Sequence, residues 1–207
     1  MCGRYYVDDE TAREIERLVE EVDAKMRLKQ GNGDVLPSQE AVVIRGREAV
    51  PSDGILRPEQ KELLCADRMR WGYSSPKDNR LLINARAETA KDRLLFAQDV
   101  RYHRIAVPAA GFYEWDSDHN RASFTARQGA ILFLAGFYRY EVKEKRFIIL
   151  TTAANESMAP VHDRMPVMIE RSELRQWIYG EQYLDMFLQR KQAQLCCRRE
   201  YEQLRLF

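Results

Sequence analysis

The sequence predicts an α+β fold built mostly from antiparallel sheets. Short β-like runs broken by turn residues fill the stretch from Ala41 to Ile169, and the few helical patterns do not alternate regularly with them. A doubly wound parallel sheet would need that alternation. The chain's 207 residues, 45% hydrophobic and 31% charged, show no internal repeat and no linker, so one domain over residues 1–207 is expected.

The first expected element is a helix over Asp9–Lys29. Ile15, Leu18, Val19, Val22 and Met26 recur at helical spacing, and Thr11 with Glu14 has the pattern of a capping box. Acidic side chains crowd the first turns, where the helix dipole favours them, and Gly31-Asn32-Gly33 supplies the stop. The acidic outer face of this helix is expected to point away from any polyanion. Strands are expected at Ala41–Ile44, Leu63–Tyr73, Leu81–Asn84, Arg104–Val107 and Gly111–Trp115, then at Ala122–Ala126, Ile131–Tyr138, Phe147–Thr152 and Val167–Ile169. Short helices are expected near Lys91–Gln98, Ser172–Ile178 and Tyr183–Gln189.

Composition excludes several classes. The longest apolar runs, such as Ala130–Phe137, are too short to cross a bilayer, so no membrane partner is expected. Met-Cys-Gly-Arg turns acidic at once and lacks the basic start and apolar stretch of a secretory signal, which predicts a cytosolic protein. Cys2, Cys65, Cys196 and Cys197 offer no C-x-x-C spacing, and no second Cys pair or His cluster completes a zinc site. Free thiols, no metal and no cofactor are the expectation. Net charge is only +1, yet residues 8–23 hold eight acids against Arg13 and Arg17, a local −6 that leaves +7 for the rest. Arginine outnumbers lysine 25 to 8, favouring the side chain that clamps phosphate and stacks on bases. Scattered surface charge explains the same counts equally well.

Four residues stand out as able to do chemistry. If Met1 is removed, Cys2 carries an α-amine and a thiol on one residue, with ordinary pKa values of roughly 8 and 8.5. An aldehyde condenses with the amine to an imine, and the sulfur closes on that carbon to give a five-membered thiazolidine. Gly3 leaves room for a ligand to approach the backbone. The plain alternative for Cys2 is a small buried residue in an N-terminal strand. Asn84, directly after an apolar run, has an amide able to hold a substrate oxygen or the amine, or it makes an ordinary Asx turn. Glu114 lies inside the aromatic run Gly111-Phe112-Tyr113-Glu114-Trp115, where apolar neighbours would raise its pKa towards neutrality, or it faces outward and pairs with an arginine. His162 sits between Pro160 and Pro166 in a fixed loop that suits a general acid or base, with Asp163 as a candidate orienting partner; a loop histidine bonded to backbone is the alternative.

Taken together, Met1-Cys2-Gly3-Arg4-Tyr5, Arg70-Trp71-Gly72, Ile83-Asn84-Ala85-Arg86-Ala87-Glu88-Thr89, Gly111-Phe112-Tyr113-Glu114-Trp115 and His162-Asp163-Arg164-Met165-Pro166-Val167 resemble the SRAP family, named for an SOS-response-associated peptidase and associated with abasic-site processing. The blocks run in family order to about Ile169; only Pro37 and Gln39 match in the loop after Gly31. The resemblance implies a curved, barrel-like, mostly antiparallel β core with flanking helices. It also implies a positively charged groove for single-stranded DNA containing abasic sites. Cys2 is then the nucleophile, surrounded by Asn84, Glu114 and His162. Gly3, Arg4, Pro37, Arg86 and Arg164 fall at positions expected near the DNA, and Trp71 and Trp115 either stack on bases or pack in the core. A monomer that joins the nucleoid when bound to DNA is expected. Self-removal of Met1 is a further implication of the peptidase label. Two other readings stay open at this level, a thiol peptidase acting on other proteins and a non-catalytic single-strand binder.

Overall fold

The computed structural model describes residues 2–19, 21–22, 32–47, 62–78, 80–142 and 144–200. β1 (Arg4–Val7) leads into α1 (Asp9–Leu18), followed by the short β2 (Glu21–Val22). Next come β3 (Gly33–Val35), β4 (Glu40–Gly46), β5 (Leu64–Trp71) and the small antiparallel pair β6 (Tyr73–Ser74) and β7 (Leu81–Leu82). β8 (Asn84–Arg86) runs straight into α2 (Ala87–Ala90), and α3 (Ala97–Tyr102) precedes β9 (Arg104–Ala109). β10 (Gly111–Trp115), β11 (Arg121–Ala126), β12 (Leu132–Glu141) and β13 (Glu144–Ala153) follow. The described chain finishes with β14 (Arg164–Pro166), β15 (Met168–Ile169), α4 (Leu174–Tyr179), α5 (Leu184–Gln189) and β16 (Leu195–Glu200).

The expected α+β class with mainly antiparallel strands is what forms. β13, β12, β9, β4 and β5 pair in that order, and β5 returns to pair with β13, closing a five-stranded barrel. A second sheet, in the order β16-β11-β10-β1-β3, is antiparallel throughout. The apolar runs of β9, β12 and β13 are continuous because both faces are covered. On β13, Phe147 and Ile149 join a core with Tyr5, Phe112 and Phe124 of the second sheet. Ile148 and Leu150 point the other way, into a core with Phe96, Val100, Trp177 and Phe187 from the helical side. Period-2 alternation thus distributes one strand between two hydrophobic cores.

The barrel closure is brief, and its end positions the later chemistry. β13 pairs in parallel with β5 only at Arg146↔Arg70 and Phe147↔Trp71, then with β8 at Ile149↔Asn84 through Thr151↔Arg86. The exchange of partners happens at Gly72, whose N–H donates to Phe147 O at 2.7 Å, while Ile149 N–H takes up Ile83 O at 3.1 Å. Gly72 has φ +111°, and a Cβ there would collide with the Leu81 side chain. Only glycine fits this turn without strain.

Several boundaries differ from expectation. α1 ends at Leu18, not Lys29: Val19 is extended (φ −94°, ψ 135°), and Glu21–Val22 pair in parallel with Cys65 and Ala66. The sheet edge captured a backbone that periodicity alone assigned to helix; Met26 to Lys29 lie outside the described residues. The capping box is Asp8 with Thr11, with Thr11 N–H to Asp8 Oδ1 at 2.8 Å and Asp8 N–H to Thr11 Oγ1 at 3.3 Å. Thr11 is therefore the third helical residue and not the cap. Glu14, its expected partner, pairs instead with Arg17 and Arg171. The segment Lys91–Gln98 is mostly turn, flanked by α2 and α3. The expected strand Leu63–Tyr73 is broken at Gly72, an N-terminal strand forms as β1 in line with the alternative given for Cys2, and β3, β14 and β16 were not anticipated. Among the described residues no helix is long and apolar enough to cross a membrane.

Gly72→Ala should lower stability by about 1–3 kcal/mol, because it adds both left-handed backbone strain and a contact with Leu81. Urea denaturation measures this; stability equal to the parent would show that the exchange of partners on β13 does not depend on glycine.

Candidate functional site

Cys2 stands just before β1, and the register of that strand determines what it meets. Arg4 lies opposite Tyr113 and Tyr5 opposite Phe112. Cys2 is 1% exposed and packs in the core cluster that includes Tyr5, Trp71 and Met165. From the barrel side, Asn84 opens β8 where it replaces β5 on β13, and its Nδ2 donates to the Cys2 carbonyl oxygen at 3.0 Å. That bond fixes which end of the amide is nitrogen, so Oδ1 points elsewhere; it is buried and has no hydrogen-bond partner among the described residues.

Glu114 and Trp115 are neighbours on β10 with opposite orientations. Glu114 turns inward and is 3% exposed, whereas Trp115 lies on the outer face under the Arg4 guanidinium, 5.3 Å from its centroid. Burial pushes the Glu114 carboxyl above the ordinary carboxylate range, and the charge of nearby His162 pulls the other way. The Cys2 thiol is also driven far up, first by burial and then by the negative charge of Glu114, against a lowering hydrogen bond from the Arg4 backbone. Thiol and carboxyl are thus both held towards their neutral, protonated forms in a dry site.

His162 arrives on the turn after β13. Its backbone N–H donates to Met158 O at 3.1 Å, and Ala154 N–H to Asp163 O at 2.9 Å, which pins the loop. His162 Nδ1 accepts the Arg164 N–H at 3.0 Å, so in the neutral ring the proton resides on Nε2. Nδ1 also lies 2.9 Å from Asp163 Oδ1, a contact that becomes an ion pair if the ring is protonated. The expected site residues Cys2, Asn84, Glu114 and His162 therefore come from four separate segments to one place.

The remaining expectations fare differently. Arg4 is half-exposed and 3.5 Å from Asp34. Arg86 is exposed at the end of β8. Pro37 is half-buried two residues beyond β3, next to the turn in which Ser38 N–H reaches Trp71 O. Arg164, expected at a phosphate, has both terminal nitrogens engaged: Nη1 with Glu88 Oε1 at 2.6 Å, and Nη2 with Glu88 Oε2 at 2.8 Å and Thr151 O at 2.6 Å. A phosphate there must compete with Glu88. The base-stacking reading of Trp71 is corrected. Its side chain is fully buried, stacks on Phe147 and donates through Nε1 to Ile83 O at 3.0 Å, so it forms part of the floor under the site.

Three contributors escaped the sequence reading. Glu88 and Thr151 brace Arg164 and through it the His162 loop; Glu88 was within a quoted motif, but nothing in sequence showed its partner. Tyr5 is fully buried beside Cys2, and its hydroxyl has no hydrogen-bond partner among the described residues. Burial raises that hydroxyl's pKa, with the Cys2 charge adding to the effect. Among the described residues no group of three His, Cys, Asp or Glu side chains could hold a metal ion.

The family model described as "SOS response associated peptidase (SRAP)" matches residues 1–202. The abasic site processing protein YoqW of Bacillus subtilis is 29% identical over 196 residues, covering 86% of this chain and 80% of that protein. The abasic site processing protein YedK of Escherichia coli is 28% identical over 190 residues, covering 87% and 81%. The abasic site processing protein YoaM of Bacillus subtilis is 31% identical over 125 residues, and that match spans only 54% of this chain and 55% of YoaM. Among solved structures, a protein from Bacteroides thetaiotaomicron superposes with a TM-score of 0.76 at 16% identity, over 97% of this chain and 93% of that one. A phage-related protein from Bordetella bronchiseptica gives 0.73 at 21%, over 97% and 95%. These structural likenesses concern the fold.

Replacing Glu114 tests the site's electrostatics. A raised native pKa means that the folded state holds the proton more tightly, so stability falls as pH rises from the unfolded value, roughly 4.3, to the native one. Glu114→Gln removes that penalty. It should melt at or above the parent's temperature at neutral pH, and the advantage should vanish below about pH 4. A variant less stable at every pH would mean that partners stabilise the buried carboxylate.

Proposed function

The chain belongs to the SRAP family, and on that basis we propose that it processes abasic sites by linking Cys2 covalently to the sugar aldehyde in single-stranded DNA. The observation that carries this reading is the bond from Asn84 to the Cys2 carbonyl, with Glu114 and His162 acting electrostatically at the same place. The active form begins at Cys2, after removal of Met1. Its amine adds to the open-chain aldehyde, and the carbinolamine loses its hydroxyl as water to give an imine. The thiol sulfur then bonds to the imine carbon while its proton passes to nitrogen, closing the thiazolidine. Carbon then carries bonds to both N and S of one residue, and the strand is diverted from β-elimination.

Each neighbour has a role suited to its geometry. Asn84 holds the Cys2 main chain, which fixes amine and sulfur relative to the incoming carbon, and its Oδ1 accepts a hydrogen bond from the amine or a sugar hydroxyl. Glu114 donates a proton to the departing oxygen and takes one from the thiol, the work of a carboxyl whose pKa is raised. His162, with Nδ1 held by the Arg164 amide, offers Nε2–H to the sugar oxygen. Holding these groups together before the encounter contributes several kcal/mol. Arg4 and Arg86 meet phosphates, Trp115 takes a base, and Gly3 and Pro37 shape the backbone surface between them. The same carboxyl and histidine would assist removal of Met1.

Intact mass spectrometry of the processed protein with abasic single-stranded DNA should report one adduct at the mass of protein plus DNA minus water. Cys2→Ala should give none that survives denaturation. Cys2→Ser should give an imine that persists only after borohydride trapping, and Glu114→Gln should slow formation about 10²-fold. Processed protein that leaves the damaged strand unmodified would refute the reading.

A further inference from the structure

We propose that the outer face of the five-stranded sheet carries the unpaired strand onward from the lesion, with Arg121 and Arg198 contacting phosphates and Tyr113 presenting a stacking surface. This rests on the function proposed above and adds a path that the reactive cluster does not itself define.

Register defines the face. Opposed residues on neighbouring strands share a side of the sheet, so Arg4, Tyr113, Ser123 and Arg198 form one row across β1, β10, β11 and β16. Trp115, Arg121 and Glu200 form the next row. The inward side of the same strands holds Tyr5, Phe112, Glu114, Ala122 and Phe124, all buried. The outer rows interleave cations and rings. The Arg4 guanidinium lies 5.3 Å from the Trp115 centroid, Arg121 lies 4.9 Å from that of Tyr113, and Tyr6 and Tyr113 are 5.2 Å apart. Three inter-strand steps make the first row about 14 Å long, enough for more than one nucleotide.

Charge then selects the occupant. Arg4, Arg121 and Arg198 share this face; Asp34, beside Arg4 at 3.5 Å, and Glu200, opposite Arg121 in register, are acids that partly offset them. Asp116 and Asp118 sit in the turn between β10 and β11, where they repel phosphates and steer a strand across the sheet instead of along it. Alternating arginines and aromatic rings on an open sheet suit a flexible polyanion with stackable bases, the chemistry of unpaired nucleic acid. The face also starts in the right place, since Cys2 and Gly3 directly precede Arg4 at one end of the row.

The test uses full-length processed protein and strands carrying a reduced abasic site, which lack the aldehyde and cannot crosslink. One strand ends a single nucleotide beyond the site on each side; the other extends well past it in both directions. In Arg121→Gln/Arg198→Gln, affinity for the long strand should fall roughly tenfold, and the salt dependence should flatten by about 0.7 per lost phosphate contact. The trimmed strand should change less than about twofold on the same reasoning, with thermal melting confirming the fold. Parent-like affinity for the long strand would overturn the path, as would equal losses on both strands, which would place the arginines at the lesion. Failure of the parent to crosslink an unreduced site would instead refute the proposed reaction.

Discussion

The hydrogen bond from Asn84 Nδ2 to the Cys2 carbonyl joins two separately built sheets. Glu114 belongs to the five-stranded sheet and Cys2 leads into it, Asn84 belongs to the margin of the barrel, and the bond spans 82 residues of sequence. Its existence depends on β13 exchanging β5 for β8, which depends in turn on the left-handed turn at Gly72. A backbone feature remote from any reactive atom thereby determines where the reactive residue stands.

The same burial that orders the site makes it electrostatically expensive. A carboxyl and a thiol are both held away from water and both pushed towards their neutral forms. Neutrality suits this chemistry, since imine formation needs a proton donor and ring closure needs a base, and one carboxyl with a raised pKa serves both in turn. The His162 loop must stay fixed throughout. Arg164 holds it by bridging Glu88 and the Thr151 carbonyl while its own amide holds the imidazole. The loop is thus tied to α2 and β13, elements anchored in the helical-side core.

Much of this fold is legible in the sequence because most strands carry local signals. Gly111–Trp115 forms where its alternation and flanking residues place it, Ala122–Ala126 lies within a residue of its strand, and Ile131–Tyr138 stops three residues short of the end of its own. α1 was overextended because Val22 and Met26 continue a helical period, and period cannot reveal that β5 offers a free edge for Glu21–Val22. β16 reads as a charged tail; only its register with β11 makes it a strand. The site divides in the same way. Motif order pointed to Cys2, Asn84, Glu114 and His162, and alternation along β10 explains why Glu114 faces inward while Trp115 does not. The Glu88–Arg164 clamp, 76 residues apart, and the burial of Trp71 are properties of tertiary packing that no local pattern encodes.

In the proposed reaction one residue offers two nucleophilic atoms to one carbon while Asn84 holds its main chain. A crystal structure of the processed protein after reaction with an abasic strand tests this most directly. The sugar C1′ should be bonded to both the nitrogen and the Sγ of Cys2, with Asn84 Nδ2 still on the Cys2 carbonyl oxygen. A C1′ bonded to another side chain, or to nitrogen without sulfur, would contradict it.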